Sequence, residues 1–349
     1  MKNIDQNNFT AMSHLINVPV SKRITFLALA FFQILSLNIY AQKVTSLTGK
    51  VIVIDPGHGG SAATDNYRQG PTGEREEWID LRVGILLKSL LEEKGAKVLL
   101  TRSSDVIFPL NERSKMAVDN KADFFVSIHH NATADPSVNF PIIYFHGLAS
   151  ENQASVEFSK HLAKNLKKYM YKSKTPASIV SDFTIFAVQG ASVLRGSYGI
   201  PGILAEASFF TNPDEENRLK EKQHNLNEAI SYAKALEAFF SKDIAPILPK
   251  DPLKFPPPFL TLQEAERMSP VARRWMQDFK EGKELMKSKN ITSLQKAYDL
   301  FTQSAKSFPD SYVAAKCHKN RAILLRKLGK TEEAIFEKTR LREFYPIKG

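Results

Sequence analysis

The chain is almost without cysteine: Cys317 is the only one in 349 residues. A lone thiol excludes an internal disulfide and any cysteine-built zinc cluster. No cysteine follows the N-terminal apolar segment, which also excludes attachment by the lipoprotein route. Cys317 follows Ala314 and Ala315 in a stretch expected to be helical, so packing is its expected role. Long apolar runs are scarce too, and the run Ile24 to Leu37 is short for a membrane span. There is no HExxH, so no zinc site carried on one helix is expected. Acidic residues are outnumbered, 37 Asp and Glu against 48 Lys and Arg, for a formal charge of +11. That balance suits nucleic acid, anionic lipid or an acidic envelope polymer without choosing among them. The lysine-rich stretch 160–174 has Leu162, Leu166 and Met170 at helical spacing, so it reads as the solvated side of an amphipathic helix.

What is present begins with a targeting signal. Lys22 and Arg23 precede the apolar run, and Asn38-Ile39-Tyr40-Ala41-Gln42 follows it. A basic region, a short apolar core and a small residue predict a signal peptide over residues 1–41, cut after Ala41. Ile39 fits such a cut poorly, which leaves an uncleaved anchor as the alternative. The expected location is outside the cytoplasm, periplasmic or at the cell surface of a bacterium, with no stable membrane span after cleavage.

From residue 48 to 241 short apolar runs alternate with helical patterns, as in an α/β domain. Val51-Ile52-Val53-Ile54 reads as a strand buried on both faces. Ile79, Val83, Leu86, Leu87 and Leu90 predict a helix stopped at Gly95. Strands are expected at Val98–Leu100, Phe124–Ile128, Ile142–Phe145 and Ile203–Ala205, with helices at Leu110–Val118, at 151–170, and in one piece from Asp214 to Ser241. Prolines at 246, 249, 252, 256, 257 and 258 block helix and central strand, so 242–261 reads as an extended linker. Residues 262–349 read as an all-helical domain. Ala297 with Phe308-Pro309 recurs as Ala334 with Tyr345-Pro346, a loose resemblance to tetratricopeptide-type hairpins, with a generic bundle as the alternative.

Polar residues gather where strands end. The first strand runs into Asp55-Pro56-Gly57-His58-Gly59-Gly60, the third into Ser127-Ile128-His129-His130-Asn131, and the late strand ends at Glu206. Glu76-Glu77 stands before the first helix. Open α/β sheets bind ligands beyond the C-terminal strand ends. Two histidines and a carboxylate there form the protein ligand set of a catalytic zinc, and a further carboxylate can move a proton. Spacing alone does not prove the site, because these residues lie far apart in sequence.

The segment Val51 to Gly60 resembles the opening motif of the zinc-dependent N-acetylmuramoyl-L-alanine amidases. Four further blocks resemble that family in the same order: Glu76 to Leu81, Val98 to Arg102, Ser127 to Ala132 and Gly202 to Asn212. The resemblance implies a mostly parallel sheet flanked by helices, one Zn2+, and peptidoglycan as substrate. It implies His58, Glu76 and His129 as zinc ligands and Glu206 as the catalytic carboxylate. The family's ligand Glu is commonly followed by Lys, whereas Glu77 follows here, so Glu77 is the alternative ligand. His130 replaces a usually small residue and is read as a satisfied side chain. Arg102 and Arg113 are expected to fix loops, and Asn131 to bind substrate. The competing function is a non-catalytic envelope scaffold or wall-binding protein acting through the helical tail, which is also the expected site of any protein partner. A nucleic-acid partner is not expected, since no motif supports it and it conflicts with the export signal.

Overall fold

The computed structural model describes residues 45–64, 68–171, 174–187, 189–253 and 255–346. The expected signal peptide lies outside them. Among the described residues no helix is long and apolar enough to cross a membrane.

Six strands form one sheet: β1 (Val51–Pro56), β2 (Lys97–Leu100), β3 (Phe124–Asn131), β4 (Ile142–Phe145), β5 (Ser178–Ser181) and β6 (Gly202–Phe209), in the order β2-β1-β3-β6-β4-β5. All pairings are parallel except β4 with β6. This is the expected α/β sheet with one reversed edge. Alternation along each strand builds two cores. Ile52, Ile54, Phe124, Val126, Ile143 and Ile203 enter one, while Val53, Phe125, Ile142, Tyr144 and Leu204 enter the other. Strands buried on both faces read as continuous apolar runs, as β1 does.

The first core is covered by α1 (Glu76–Glu92), α3 (Gln153–Leu166) and α6 (Lys222–Phe240). The second lies partly under α2 (Leu110–Asp119) and α4 (Ser192–Gly196). The rest of its cover comes from the end of the chain: α7 (Glu264–Arg267), α8 (Trp275–Leu285), α9 (Ile291–Ser307), α10 (Ala314–Lys327) and α11 (Thr331–Phe344). Phe308 packs against Phe140, which precedes β4, Phe209 of β6 and Trp275 of α8. From Thr45 onward the chain is one compact unit.

Among its described residues the proline-rich stretch has neither helix nor strand, but it is tied down. Leu248 N–H donates to the Glu151 carbonyl at 2.8 Å, Asp251 N–H to Glu151 Oε1 at 2.8 Å, and Phe255 is buried in the second core. Ala297 and Ala334, the small residues of the repeat, are fully buried in α9 and α11, and each helix from α8 to α11 packs on the next.

Two expected outlines change. The helix from Asp214 to Ser241 is two helices, α5 (Pro213–Leu219) and α6. Asn212 caps α5 with Pro213 in its first turn, and side chains of Arg82 and Asn225 take the Leu219 carbonyl that a continuing helix would use. The late strand also continues past Glu206 to Phe209, which pairs with Asn131 of β3 beyond a register shift at His129/Asn131.

Candidate active site

The Gly-rich turn after β1 presents His58 in a left-handed backbone, φ 54°, a conformation that side chains beyond glycine seldom adopt. Two buried arginines hold it. Arg113 donates to Asp55 Oδ1 (2.8 Å), the Pro56 carbonyl (2.9 Å) and the His58 carbonyl (2.5 Å). Arg102 donates to the carbonyls of Pro56 (2.9 Å), Gly57 (2.6 Å) and Glu77 (2.6 Å). These are the loop-fixing roles expected from sequence. Gly57 leaves room for a neighbour, since a Cβ there would lie 2.4 Å from the His129 ring.

Glu76 is the first residue of α1, where a carboxylate also suits the helix dipole. Its Oε1 lies 3.0 Å from His58 Nε2 and 3.0 Å from His129 Nδ1. The two imidazoles meet edge to face, with centroids 4.6 Å apart. One atom from each of His58, Glu76 and His129 falls within 4.8 Å of the others. Glu77, by contrast, is fully buried and pairs with Arg75 Nε at 2.5 Å. Two imidazole nitrogens and one carboxylate oxygen converging in this way fit the donor set of a catalytic zinc. Burial holds the His129 imidazole down at about 4, so it is neutral and able to ligate at physiological pH. Burial works against the Glu76 carboxylate, but the two histidines outweigh it and hold Glu76 well below the usual range.

Beneath the ligands lies a buried polar network. His130 is 1% exposed, with Nδ1 2.9 Å from Asp80 and Nε2 3.0 Å from Glu228. Burial alone would lower its pKa, yet the flanking carboxylates hold it well above the ordinary imidazole value. Asp80 is pushed up to about 7, chiefly by burial. His130 is thus a satisfied side chain, as expected, and it anchors β3 to α1 and α6 through charge-assisted hydrogen bonds.

Glu206 is the register partner of His129 across β3 and β6, so the two side chains share a sheet face. It lines the same cleft as the three other residues, together with Asn131, Tyr144 and Phe210. Its Oε2 is buried without a hydrogen-bond partner among the described residues. Burial, reinforced by Glu76 and Asp80, holds its carboxyl well above the ordinary range. Asn131 accepts the Ala132 N–H through its side chain at 2.8 Å. The cleft also has residues that sequence reasoning missed. Arg68 Nε sits 3.2 Å from His58 Nε2, Phe186 stands half-exposed at the cleft, and Gln263 and Arg267 arrive from the C-terminal helices. No local pattern marks these four, because tertiary packing alone brings them to the cleft.

The profile of the N-acetylmuramoyl-L-alanine amidase family matches residues 52–238. The chain belongs to this family. The match takes in all four site residues and ends before the C-terminal helices. Among similar curated proteins is the probable cell wall amidase LytH of Staphylococcus saprophyticus. It is 29% identical over 213 residues, covering 59% of this chain and 65% of that protein. The N-acetylmuramoyl-L-alanine amidase AmiA of Escherichia coli K12 is 26% identical over 226 residues, covering 55% of this chain and 76% of that protein. Among solved structures, an N-acetylmuramoyl-L-alanine amidase from Clostridium difficile 630 shares 25% identity at a TM-score of 0.49, covering 56% of this chain and 98% of that one.

Proposed function

We propose that this chain is a zinc-dependent N-acetylmuramoyl-L-alanine amidase, exported to the cell envelope, that hydrolyses the bond between muramic acid and L-alanine in peptidoglycan. The observation that carries the proposal is the convergence of His58, Glu76 and His129 beside Glu206, within a stretch matched by the amidase family. His58, Glu76 and His129 would hold the ion. When bound there, zinc supplies an acidified water and a Lewis acid for the scissile carbonyl. Glu206 accepts the water's proton as the new C–O bond forms and returns it to the departing alanine nitrogen as the C–N bond breaks. Asn131, which lines the same cleft, hydrogen-bonds the substrate.

A complete ligand set and proton carrier favour this reading over a wall-binding scaffold, which has no need to retain them. The C-terminal helices spend much of their apolar surface on the sheet, and their outer faces are the place for a protein partner. The reading is tested by digesting purified peptidoglycan with the mature protein and zinc, with mass spectrometry of the products. Stem peptides with a free L-alanine amine are expected, absent after chelation and absent for Glu206→Gln with an unchanged circular dichroism spectrum. Undiminished release by either preparation refutes the mechanism.

A further inference from the structure

The catalytic cleft is not built by the family-matched stretch alone. Arg267, at the end of α7, lines it together with His58, Glu76, His129 and Glu206, 29 residues beyond the matched segment. Arg267 is firmly held. It is 7% exposed, its carbonyl accepts the Ala134 N–H at 3.2 Å, and its guanidinium carbon sits 4.9 Å from the Phe308 ring centroid. Asp310 receives two bonds, at 3.1 and 3.3 Å, and both come from Nη2. Asp310 in turn takes the Tyr144 hydroxyl, and Tyr144 lines the same cleft. A guanidinium has five N–H donors in a planar fork, so Asp310 and the Tyr144 oxygen, its two hydrogen-bond partners, do not use them all.

The cleft also continues along the C-terminal segment. A second hollow, lined by Leu260, Gln263, Glu266 and Lys306, shares Ile185, Phe186 and Gln263 with the catalytic one. The substrate has a matching polarity. A stem peptide joined to muramic acid through its N-terminus runs away from the scissile bond toward a carboxylate. Near Glu76, Glu206 and Asp80, a substrate carboxylate needs a fixed cation, and Arg–carboxylate pairing supplies it with directional geometry.

We propose that Arg267 is a specificity residue supplied by the C-terminal helices, binding a carboxylate on the stem peptide just beyond L-alanine, while the hollow beside Gln263 receives the rest of the peptide. This rests on the amidase reading for the identity of the substrate. It implies that the helical segment belongs to the active site and selects peptides by charge.

The test uses the full chain and two synthetic muramoyl dipeptides that differ only in a carboxylate or carboxamide on the residue after L-alanine. Cleavage is followed with zinc, and binding by calorimetry on the Glu206→Gln protein. Wild type is expected to favour the carboxylate by roughly tenfold or more in kcat/KM, as for a charge-assisted hydrogen bond. The same preference should appear in the calorimetric Kd. Arg267→Gln should bring both ratios near one, through KM rather than kcat. Arg267→Lys keeps a charge opposite Asp310 but loses the fork, and should retain only part of the preference; it serves if the Gln variant does not fold. Equal handling of the two dipeptides by wild type overturns the proposal, as does a preference of wild-type size in Arg267→Gln or in Arg267→Lys. A carboxylate preference in binding with no cleavage of either dipeptide sinks the amidase reading and leaves the Arg267 subsite standing.

Discussion

Gly57 shows how little space surrounds the imidazole of His129, a proposed metal ligand. A methyl group there meets three atoms of the His129 imidazole at 2.4–2.7 Å, so the ring must turn away from Glu76. Gly57→Ala is therefore expected to weaken metal binding by about 10–100-fold, the scale seen when ligand support is lost. It should also lower stability by about 1–3 kcal/mol through overpacking. Competition with a fluorescent zinc chelator measures the first, and metal-bound affinity unchanged from wild type would contradict the steric account. A second residue-scale test lies far from the site. Glu337 of α11 bonds His318, Arg321 and Arg340 in a buried cluster. Burial opposes its charge, but these partners outweigh burial and hold its carboxyl down at about 2. His318, chiefly through its own burial, is itself held below the ordinary imidazole range, so at neutral pH the arginines supply the opposing charge. A depressed carboxylate stabilises the fold above its unfolded value near 4.5, and that contribution disappears as pH falls toward 2. Between pH 5 and 2.5 the wild type should therefore lose more Tm than Glu337→Gln does; parallel acid profiles would refute this. The proposed ligands were legible as candidates because each sits at a strand end or a helix start inside a motif. Arg267 was not, since a lone Arg in Glu264–Arg267 looks like any other surface charge.

At the scale of elements, the strands announced themselves where burial is two-sided. The run Val51-Ile52-Val53-Ile54 needs apolar residues on both faces, so its pattern is continuous and unmistakable. β5 escaped although it too is buried on both faces. Only Ile179 and Val180 stand between two serines, and a four-residue edge strand of that composition has no period to read. The break between α5 and α6 was hidden because hydrogen bonds from Arg82 and Asn225 make it, and no proline or glycine stands at the junction. The covering of the second face was beyond any local pattern. It depends on Phe308 at the end of α9 meeting Phe140 and Phe209, contacts more than a hundred residues apart in one case and nearly so in the other. That contact is testable: Phe308 is 2% exposed, and truncating a buried Phe costs about 3–5 kcal/mol. Phe308→Ala should lower the urea midpoint accordingly at unchanged slope. A loss below about 1 kcal/mol would mean that the helices rest on the sheet without sharing its core.

For the whole molecule, the decisive feature is that one sheet serves two covers of different origin. The first is the family-matched stretch folding on itself, and the second is completed by residues after 262. Ile142, Tyr144, Leu204 and Phe209 belong to the same apolar cluster as Trp275, Phe301 and Phe344, so removing the helices uncovers a continuous part of the sheet face. Exposed apolar patches of that kind drive association, and the sheet edge at β5 would stand open beside them. A chain ending at Ser241 is therefore expected to lose solubility or to bind a hydrophobic dye, even though it keeps every predicted ligand and Glu206. The intact mature chain should unfold in one calorimetric transition, with the van't Hoff and calorimetric enthalpies equal, because no boundary separates the two cores from their shared sheet. Two resolved transitions, or a 45–241 fragment that stays monomeric with the parent's Tm, would show the helices to be an independent attachment. A single transition would instead place the C-terminal helices within the folding unit that holds His58, Glu76 and His129 together, so that loss of the helices and loss of the metal site would follow the same melting curve.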